Sequence, residues 1–355
     1  MMGAMGARTG CLLGRIRLRF GGEQGVTVPE DLSAVTRHDD GTLWLAADEL
    51  AALDSLRPEG PRAHAYGEHH RLSIAGPLGL AKDCEIDIEG LHFDGEALWV
   101  VGSHSAKRKK PSRKGKQDLA RLAEIQTDLS RFVLTRIPFD GGSLQLDRTA
   151  QLTAQDDGAA SLIDLLHGDE HLDPFLPGEG RVPIPGKDNG FDIEGLTVHD
   201  EHVLIGLRGP VLRGWAFVLE LAIDPQDDGT LAPRRRRKRA YRKHALDLDG
   251  LGVRELMVHD DEVLVVAGPT MTLDGAHRVF RWRRDTGKDD TLVRQSAGAL
   301  EPLFDLPMLV GRDRAEGACT FDWFDEGDSM LVVYDAPSDL RRIDARSVLA
   351  DVFAL

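Results

Sequence analysis

The sequence predicts an all-β fold of the β-propeller class, and the first observation behind this prediction is an internal repeat. The run DIEGL at Asp87–Leu91 recurs at Asp192–Leu196, and both copies lead into an apolar, strand-like segment. Looser copies lie at Gly252–Leu256, Arg314–Ala318 and Asp31–Val35. A unit that recurs every few tens of residues is typical of propellers and solenoids. We therefore expect several copies of one structural unit.

The second observation is that each copy has the pattern of a β-hairpin. Two apolar or alternating runs flank a tight turn rich in Asp and Gly, as at Phe93–Gly102, which is typical of antiparallel strands. A third strand-like run follows at Arg131–Ile137, Trp215–Leu221 and His277–Trp282, and a turn then leads to a fourth strand. Four strands per repeat indicate propeller blades, which bury both faces against their neighbours.

The visible copies favour five blades in a single domain over residues 1–355. The long stretch between the second and third copies has room for one more hairpin, so six blades are the alternative. We assign residues 107–130 and 153–190 as insertions, with a short helix at Ser161–Leu166. The alternating run within residues 11–20 lies outside the repeats and is predicted to supply the closing strand of the last blade.

The charge of the chain is unevenly distributed. The 355 residues include 44 Lys and Arg against 59 Asp and Glu, a net charge of −15. Two runs, Lys107–Lys116 and Arg234–Lys243, hold fifteen of the basic residues and no acid, so the remainder carries a net charge of −30. Only Tyr241 interleaves with these runs, and an acidic body repels polyanions, which argues against nucleic acid.

Cysteine content and apolar runs exclude other classes of protein. Three cysteines without a Cys-x-x-Cys pair argue against a disulfide scaffold and against a structural zinc site. No run approaches the ~18–20 apolar residues of a membrane span, and no signal-like segment opens the sequence. These observations predict a cytoplasmic protein without a membrane segment.

The repeat predicts where functional side chains gather. In a propeller the first strand of each blade lines the central channel, and its start lies at the same rim as the end of the second strand. The carboxylates that begin first strands are Asp87, Glu89, Asp192, Glu194 and Glu316, and the residues that end second strands include Asp48, His104, Arg208 and Asp335. We expect all of them at one rim, together with both basic runs.

This set of residues suits two kinds of ligand. A hard cation such as Ca²⁺ takes six to eight oxygen ligands, which Asp87, Glu89, Asp192, Glu194 and Glu316 could provide from different blades. A small anionic substrate could be bound by the guanidinium groups of Arg208, Arg213, Arg254 and Arg314. Arg208 is also a candidate catalytic residue, and His104 or a carboxylate is the candidate general base.

A structural role for the repeated Glu-Gly pair is the alternative interpretation. The carboxylate could accept backbone N–H bonds between blades, while the glycine permits close packing. Arg254 and Ser33 replace the Glu in two copies, which argues against a uniform ring of metal ligands. Both interpretations stay open at the level of the sequence.

The repeat motifs and the segments that follow them also carry a resemblance to a known family. Through Asp192–Leu196, Leu204–Pro210 and Gly102–Ser105, the chain resembles the bacterial domain-of-unknown-function family 3616 over about residues 30 to 340. More remotely, its Glu-Gly-Leu strand starts look like those of the "esterase-like activity of phytase" propeller proteins. The first resemblance implies the propeller fold, and the second implies hydrolysis of an ester or phosphoester.

Three functional hypotheses follow from these features. The leading one is a metal-assisted hydrolase, with calcium as the candidate cofactor, acting on a small anionic ester such as a phosphoester. The rival is a non-catalytic propeller that binds a protein or peptide, with the basic runs contacting an acidic partner. A third is a lactonase-like hydrolase, which needs the same metal and differs in its substrate.

Overall fold

The computed structural model describes residues 9–21, 28–60, 62–82, 84–111, 118–153, 161–178, 180–234, 239–324 and 328–355. The fold is all-β, as the sequence predicts, with two short α-helices and four 3₁₀ turns among the described residues. None of the helices in these ranges is long and apolar enough to cross a membrane.

The strands are, in chain order, β1 (Leu12–Arg19), β2 (Leu32–Arg37), β3 (Leu43–Ala47), β4 (Ala52–Pro58), β5 (Ala65–Ser73), β6 (Ile88–Phe93), β7 (Ala97–Gly102), β8 (Ala106–Arg108), β9 (Ile125–Thr127), β10 (Val133–Asp140), β11 (Ser143–Leu144), β12 (Ala150–Thr153), β13 (Asp192–His199), β14 (His202–Gly209), β15 (Trp215–Leu221), β16 (Ile223–Pro225), β17 (Leu231–Pro233), β18 (Tyr241–Asp247), β19 (Gly252–His259), β20 (Glu262–Gly268), β21 (His277–Trp282), β22 (Thr291–Val293), β23 (Leu300–Leu306), β24 (Arg314–Asp322), β25 (Asp328–Asp335), β26 (Arg342–Asp344) and β27 (Ser347–Ala354). The helices are α1 (Asp118–Leu122) and α2 (Leu162–Leu166), and the 3₁₀ turns are Leu129–Arg131, Leu146–Arg148, Asp173–Phe175 and Gln295–Ala297.

The main strands form successive antiparallel sheets of four. Sheet I contains β2, β3, β4 and β5; sheet II contains β6, β7, β10 and β12; sheet III contains β13, β14, β15 and β18; sheet IV contains β19, β20, β21 and β23; sheet V contains β24, β25, β27 and β1. The second strand of sheet II, Ala97–Gly102, is apolar along its whole length and buried on both faces. Such runs are expected of strands that are covered by a sheet on each side.

Local residue chemistry sets the hairpin turns. Asp94 accepts hydrogen bonds from the backbone N–H groups of Glu96, at 2.9 Å, and Ala97, at 2.8 Å. Gly95 lies between them with a φ of 93°, a conformation that glycine adopts without strain. The tight Asp/Gly turn that the repeat predicts is therefore built by one carboxylate and one glycine.

The sheets pack in a ring, which makes the arrangement propeller-like. The first strands contact one another in the order β2, β6, β13, β19, β24 and back to β2. A buried apolar cluster lies between each pair of neighbouring sheets: I with II, II with III, III with IV, IV with V, and V with I. Strand β1 pairs with β27 at the outer edge of sheet V and touches β5 of sheet I through a short parallel pairing.

Every first strand contains a β-bulge near its start. The pairing skips Ser33, Glu89, Glu194 and Arg254 in the first four sheets, and it skips Glu316 with Gly317 in sheet V. These are the equivalent positions of the sequence repeat. A bulge leaves its extra residue out of the strand pairing and re-aims the side chain. The residue at this position of the sequence repeat is therefore left out of the pairing within its own sheet, and its side chain is redirected.

The second basic run does not lie where the sequence predicted. Strand order places Arg239–Lys243 at the beginning of β18, paired with the end of β15, at the end of the strands opposite to the starts of the first strands. The small hairpin of β16 and β17 precedes this run, so the run leads into the fourth strand rather than out of it. Residues 235–238 of the run lie outside the described residues.

Candidate functional site at the channel mouth

The mouth is defined here as the end of the ring at which the first strands begin. Because neighbouring strands run in opposite directions, the second strands end at this mouth, which brings Asp48, Arg208 and Asp335 beside the bulge residues. The bulge positions carry different chemistry in different sheets, with Ser33 in sheet I and Arg254 in sheet IV. The mouth is therefore asymmetric, with an acidic half and a mixed half.

The acidic half is a group of three carboxylates from sheets I and II. Asp48, Asp87 and Glu89 each offer an oxygen, and these oxygens lie within 4.8 Å of one another. Glu89 is only 9% exposed and, among the described residues, makes neither a hydrogen bond nor an ion pair. Asp48 has one buried carboxylate oxygen without a hydrogen-bond partner. Glu89 and one oxygen of Asp48 thus have no hydrogen-bond partner in the described part of the chain.

Burial and repulsion between carboxylates raise the pKa values of Glu89 and Asp48. Burial raises the pKa of Glu89 well above its ordinary value, and the nearby carboxylates of Asp48 and Glu194 raise it further. The pKa of Asp48 is also well above its ordinary value, first through burial and then through the charges of Glu316 and Asp87. A group that resists ionisation in this way gains most from a cation placed among its oxygens.

Asp87 is the member of the group with basic partners. Arg131 Nη1 lies 2.8 Å from one oxygen of Asp87, and Lys107 Nζ lies 3.3 Å from the other. Both cations also bind Glu85. Lys107 belongs to the first basic run, so that run reaches the mouth at its first residue, while residues 112–117 lie outside the described part of the chain.

The mixed half is a chain of ion pairs across sheets III, IV and V. Glu194 pairs with Arg208 and, at 2.7 Å, with Arg254 Nε, while Arg254 also pairs with Glu316. Arg208 Nη2 lies 3.2 Å from Asp192, and its Nε donates to the carbonyl of Thr270 at 3.1 Å. The guanidinium groups of Arg208 and Arg254 are buried, so each needs these carboxylates to offset its desolvation.

Two carboxyls of the mixed half titrate near neutrality. Burial raises the pKa of Glu316 to about 7 against the lowering effect of Arg254. Burial likewise raises the pKa of Asp192 to about 6, although Arg208 opposes the shift. A carboxyl with a pKa close to 7 can both accept and donate a proton at neutral pH, which is the property required of a general acid–base group.

A pocket opens beside the mixed half. It encloses ≈ 410 Å³ of empty space, including the part open to solvent. Its charged lining consists of Lys187, Arg208, Arg254, Arg314, Glu316 and Asp335, and its other lining residues are Pro269, Met271, Thr272, Leu273 and His277. The lining has four cationic side chains and two carboxylates, while Arg208 and Arg254 also pair with Asp192 or Glu194 outside it. Lys187, which has no ion pair in the described part of the chain, is therefore the lining cation that is left to attract an anion. Lys187 comes from the insertion before β13, and its charge lowers the pKa values of Asp48, Asp192 and Glu316.

Of three residues predicted for catalysis or substrate binding, Arg314 lines the pocket, whereas His104 and Arg213 do not. His104 is buried, bonds the carbonyl of Gly102 through Nδ1 at 2.8 Å, and stacks on Phe132. Burial lowers its pKa to about 4, and the residue does not line the pocket. Arg213 is exposed in the turn between β14 and β15, also outside the pocket lining. Arg314 does line the pocket and pairs with Asp335 at 3.1 Å.

The structure divides the five predicted metal ligands into two sets. Asp87 and Glu89 belong to the close carboxylate group, whose third member is Asp48. Asp192, Glu194 and Glu316 instead pair with Arg208 or Arg254. Their oxygens are occupied by guanidinium groups, so only the acidic half fits a hard cation. In the described ranges, a second close group, His259 with Asp260 and Asp328, lies at the opposite end of the strands.

Several residues of the mouth escaped prediction from the sequence. Lys187, Arg131 and His277 lie in or beside insertions and outer strands, where the repeat gives no equivalent positions. Glu255 is different, because it occupies the glycine position of the repeat. Its buried carboxyl accepts backbone N–H bonds from Leu256, at 2.9 Å, and from Leu196 of the neighbouring first strand, at 3.5 Å. The substitution of Gly by Glu was the signal that could have revealed it.

Comparison with known proteins identifies the family. The model of the family described as "Protein of unknown function (DUF3616)" matches residues 31–351. The chain belongs to this family. The match covers all the strands of the ring except β1 and the last residues of β27, and it confirms the resemblance carried by the repeat motifs. The more remote resemblance to the esterase-like activity of phytase proteins gains no support.

Three solved structures are distantly similar to this chain. Virginiamycin B lyase from Staphylococcus aureus is 9% identical, with a TM-score of 0.39 over 96% of this chain and 99% of that chain. Regucalcin, a calcium-binding protein from Agrobacterium tumefaciens, is 10% identical, with a TM-score of 0.40 over 98% and 97%. A luciferin-regenerating enzyme is 8% identical, with a TM-score of 0.38 over 96% of each chain. No curated protein sequence matches the chain. Each likeness is too weak to carry a functional conclusion.

Proposed function

We propose that the chain is a five-bladed β-propeller hydrolase that uses a divalent cation, with calcium as the first candidate, on a small anionic ester such as a phosphoester. The ring of five first strands and the five apolar clusters between sheets support the blade number. The observation that carries the proposed activity is the carboxylate group of Asp48, Asp87 and Glu89, which lies at the same mouth as the cationic pocket.

The acidic half has the donor chemistry of a hard-cation site. Ca²⁺ binds carboxylate oxygens at ~2.3–2.6 Å, so oxygens separated by up to 4.8 Å can share one ion. Glu89 and Asp48 are held uncompensated in a largely buried position, where a cation would offset their repulsion. Arg131 and Lys107 neutralise part of the charge of Asp87, which keeps the total charge of the group moderate.

The pocket supplies the anion site of the proposed enzyme. Lys187, Arg254 and Arg314 line it, and the ammonium group of Lys187 has no ion-pair partner among the described residues. A phosphoester placed there would meet charge-assisted donors on one side. The chemistry that a bound cation supplies is polarisation of the ester oxygen.

Glu316 replaces His104 as the candidate general base. His104 is buried away from the pocket, whereas Glu316 lines it and has a pKa raised to about 7. In the proposed reaction Glu316 accepts a proton from the attacking water as the water oxygen bonds to phosphorus. The bond from phosphorus to the leaving oxygen breaks, and Glu316 returns the proton to the leaving alkoxide. Arg208, the other predicted catalytic residue, holds Asp192 and Glu194 in place and contributes positive charge to the pocket wall.

Hydrolysis assays test the proposal. The purified chain is assayed with p-nitrophenyl phosphate and with an aryl lactone, with Ca²⁺, Mg²⁺ or Mn²⁺ and after treatment with EDTA. We expect turnover that EDTA abolishes and that Glu316→Gln lowers at least a hundredfold in kcat, while Glu201→Gln, at an exposed turn, leaves it unchanged. Turnover of the lactone but not of the phosphoester would identify the chain as a lactonase that uses the same cation. No turnover of any ester with any cation would contradict the proposal.

A non-catalytic binding function is the second candidate, and one observation favours it. The guanidinium groups of Arg208 and Arg254 are already paired with carboxylates of the same chain, as in a structural network. The exposed start of the first basic run would then contact an acidic protein. Replacing Lys109 and Lys110 by Ser should remove a partner captured by the intact chain without changing its stability. An unchanged set of captured proteins would contradict this function.

A cytoplasmic location belongs to the same proposal. Cys11, Cys84 and Cys319 are all free thiols. Reduced thiols are the rule in the cytosol, whereas exported domains usually form disulfides.

A further inference from the structure

Exposed apolar side chains gather on the loops around the mouth. Large apolar residues that remain exposed include Val182, Met271, Leu273, Leu309, Val310 and Leu340. By strand direction all six belong to mouth loops, because they follow second or fourth strands or precede first strands. Exposed apolar side chains that cluster at one place mark a binding surface more often than those scattered singly.

These loops are fastened to one another. Asp188 and Met271 form an isolated antiparallel bridge, which joins the insertion before β13 to the loop after β20. The backbone N–H of Gly311 donates to Asp274 at 2.9 Å, and Arg208 donates to the carbonyl of Thr270 at 3.1 Å. The loop that carries Met271 and Leu273 is therefore held in position on three sides.

The same loop forms an apolar wall of the anion pocket. Pro269, Met271 and Leu273 line the pocket together with Lys187, Arg254 and Arg314. Met271 is 45% exposed and Leu273 is 61% exposed, so both have apolar surface that a ligand can cover. A ligand in this pocket meets positive charge and an apolar surface at once.

We infer that this pocket binds a small amphiphilic anion, namely a phosphate or phosphonate group that carries an aryl or short alkyl group packed against Met271 and Leu273. The inference rests on the proposed function, and it names the substrate class of that site. A free inorganic anion would leave the apolar wall exposed, whereas an aryl group would cover it and gain the free energy of apolar burial. The concave shape and the excess of cationic side chains favour a small ligand over a protein surface.

Binding of two phosphonates tests the inference, because phosphonates carry the anionic group but are not hydrolysed. Isothermal titration measures the Kd of methylphosphonate and phenylphosphonate for the full chain and for Leu273→Ser. Leu292→Ser is the matched control, since Leu292 is also about half exposed, at 51%, but lies on β22 at the outer edge of sheet III. Far-UV circular dichroism verifies that each variant is folded.

We expect phenylphosphonate to bind the intact chain and Leu292→Ser at least tenfold more tightly than methylphosphonate. In Leu273→Ser the preference should fall to threefold or less, with the Kd of methylphosphonate unchanged. Equal affinities in the intact chain, a preference that survives Met271→Ser combined with Leu273→Ser, or no binding of either phosphonate would each overturn the inference. Turnover and cation binding are separate measurements, so the hydrolase proposal can fail while this preference stands, or the reverse.

Discussion

At the scale of single residues, the charge at the mouth depends on which carboxylates have a basic side chain beside them. Glu194 lies between Arg208 and Arg254, whereas Glu89, at the equivalent bulge of sheet II, has no such partner among the described residues. Sheet I has Ser33 at the equivalent bulge, so this position offers Glu89 no guanidinium group. A buried carboxylate without a partner is costly, and it favours the binding of a cation.

Replacing Glu89 by Gln should abolish the stabilisation that a cation gives. A ligand at one hundred times its Kd stabilises a folded protein by about 2.7 kcal/mol, so Ca²⁺ should raise the Tm of the intact chain. Without Ca²⁺ the variant should be at least as stable as the parent, because repulsion with Asp48 is removed. Differential scanning calorimetry with and without Ca²⁺ measures both effects.

Asp328→Asn is the control for this prediction. Asp328 belongs to the other close group, with His259 and Asp260, at the opposite end of the strands. The Tm of the Asp328→Asn variant should still rise with Ca²⁺, as it does in the parent. A Tm shift that Asp328→Asn removes and Glu89→Gln retains would place the cation at the wrong end of the ring.

Glu220 is a second buried carboxylate and has the opposite environment. His244 Nε2 lies 3.1 Å from it and Arg284 Nη1 lies 2.9 Å from it. Although burial acts to raise the pKa of Glu220, these partners lower it to about 2. The stability that its charge contributes is therefore present above the ordinary pKa of Glu and is lost as the pH falls through about 2.

Glu220→Gln should weaken the acid dependence of stability. Between pH 4.5 and 2 the parent should lose about 3 kcal/mol of unfolding free energy through this group, following the size of the pKa shift. The variant should be less stable at pH 7 and should lack that part of the decline. Urea unfolding at a series of pH values gives the slope. A slope equal to that of Glu201→Gln, an exposed control, would contradict the assigned role.

At the scale of elements, the bulged start of each first strand combines a functional position with a packing position. The glycine that follows the repeated Glu lies in close contact with the neighbouring first strand. A Cβ added to Gly90 would lie 2.6 Å from Leu196 Cβ, and one added to Gly317 would lie 2.8 Å from the Cα of Ala34. The Glu-Gly pair of the repeat thus has both roles, with the Glu at the mouth and the Gly between strands.

Gly90→Ala should therefore destabilise the fold by about 1–3 kcal/mol, the usual cost of overpacking a rigid core. Gly76→Ala is the matched control, since an added Cβ there has no atom within 4 Å. Urea unfolding of both variants measures the difference. Equal stabilities would mean that the first strands are not in close contact at the bulge.

The repeat made most of the elements predictable, and insertions account for the elements that were not. The third strands β15 and β21 match the predicted runs Trp215–Leu221 and His277–Trp282, because each alternates between two buried faces. The helix expected at Ser161–Leu166 is α2, with Ser161 as its N-cap. The hairpin of β16 and β17 has no counterpart in other repeats. Because it lies between β15 and β18, the second basic run leads into β18 at the end opposite the mouth.

The site was predictable as a region and only partly as a set of contacts. The repeat brings the five predicted carboxylates to one mouth, since equivalent positions of a ring of sheets share one end. Which of them meet a guanidinium depends on Arg208 and Arg254 reaching across sheets, a long-range property that one repeat does not contain. Lys187 comes from an insertion, so no periodic signal marks it.

At the scale of the whole molecule, both ends of the described chain meet in one sheet. Strand β1 pairs along almost all of β27 and completes sheet V as its fourth strand. Ile16 and Leu18 of β1 are fully buried in the apolar cluster between sheets V and I. The ring therefore depends on contacts between residues at the two extremes of the sequence.

Leu18→Asn should destabilise the whole fold in a single transition. A polar side chain would occupy a fully buried position at the junction of sheets V and I, at a cost of about 2–5 kcal/mol. Arg19→Asn is the control one residue away, on an exposed side chain that pairs with Glu59 at the surface. Thermal unfolding followed by circular dichroism compares them. A partial transition confined to sheet V would contradict closure of the ring by β1.

The distribution of charge over the whole molecule leads to the central claim. An acidic chain of net charge −15 concentrates uncompensated carboxylates at one half of the mouth and excess cationic side chains at the other. A cation bound at the acidic half would share the mouth with an anion bound in the pocket, as the proposed metal-assisted hydrolysis requires. The claim depends on whether a cation binds at the acidic half.

A crystal structure of the chain grown with Ca²⁺, with anomalous diffraction collected at long wavelength, tests this directly. The account predicts an anomalous peak about 2.3–2.6 Å from carboxylate oxygens of Glu89 and of at least one of Asp48 and Asp87. A mouth without a peak at saturating Ca²⁺, or a peak only at His259, Asp260 and Asp328, would contradict it.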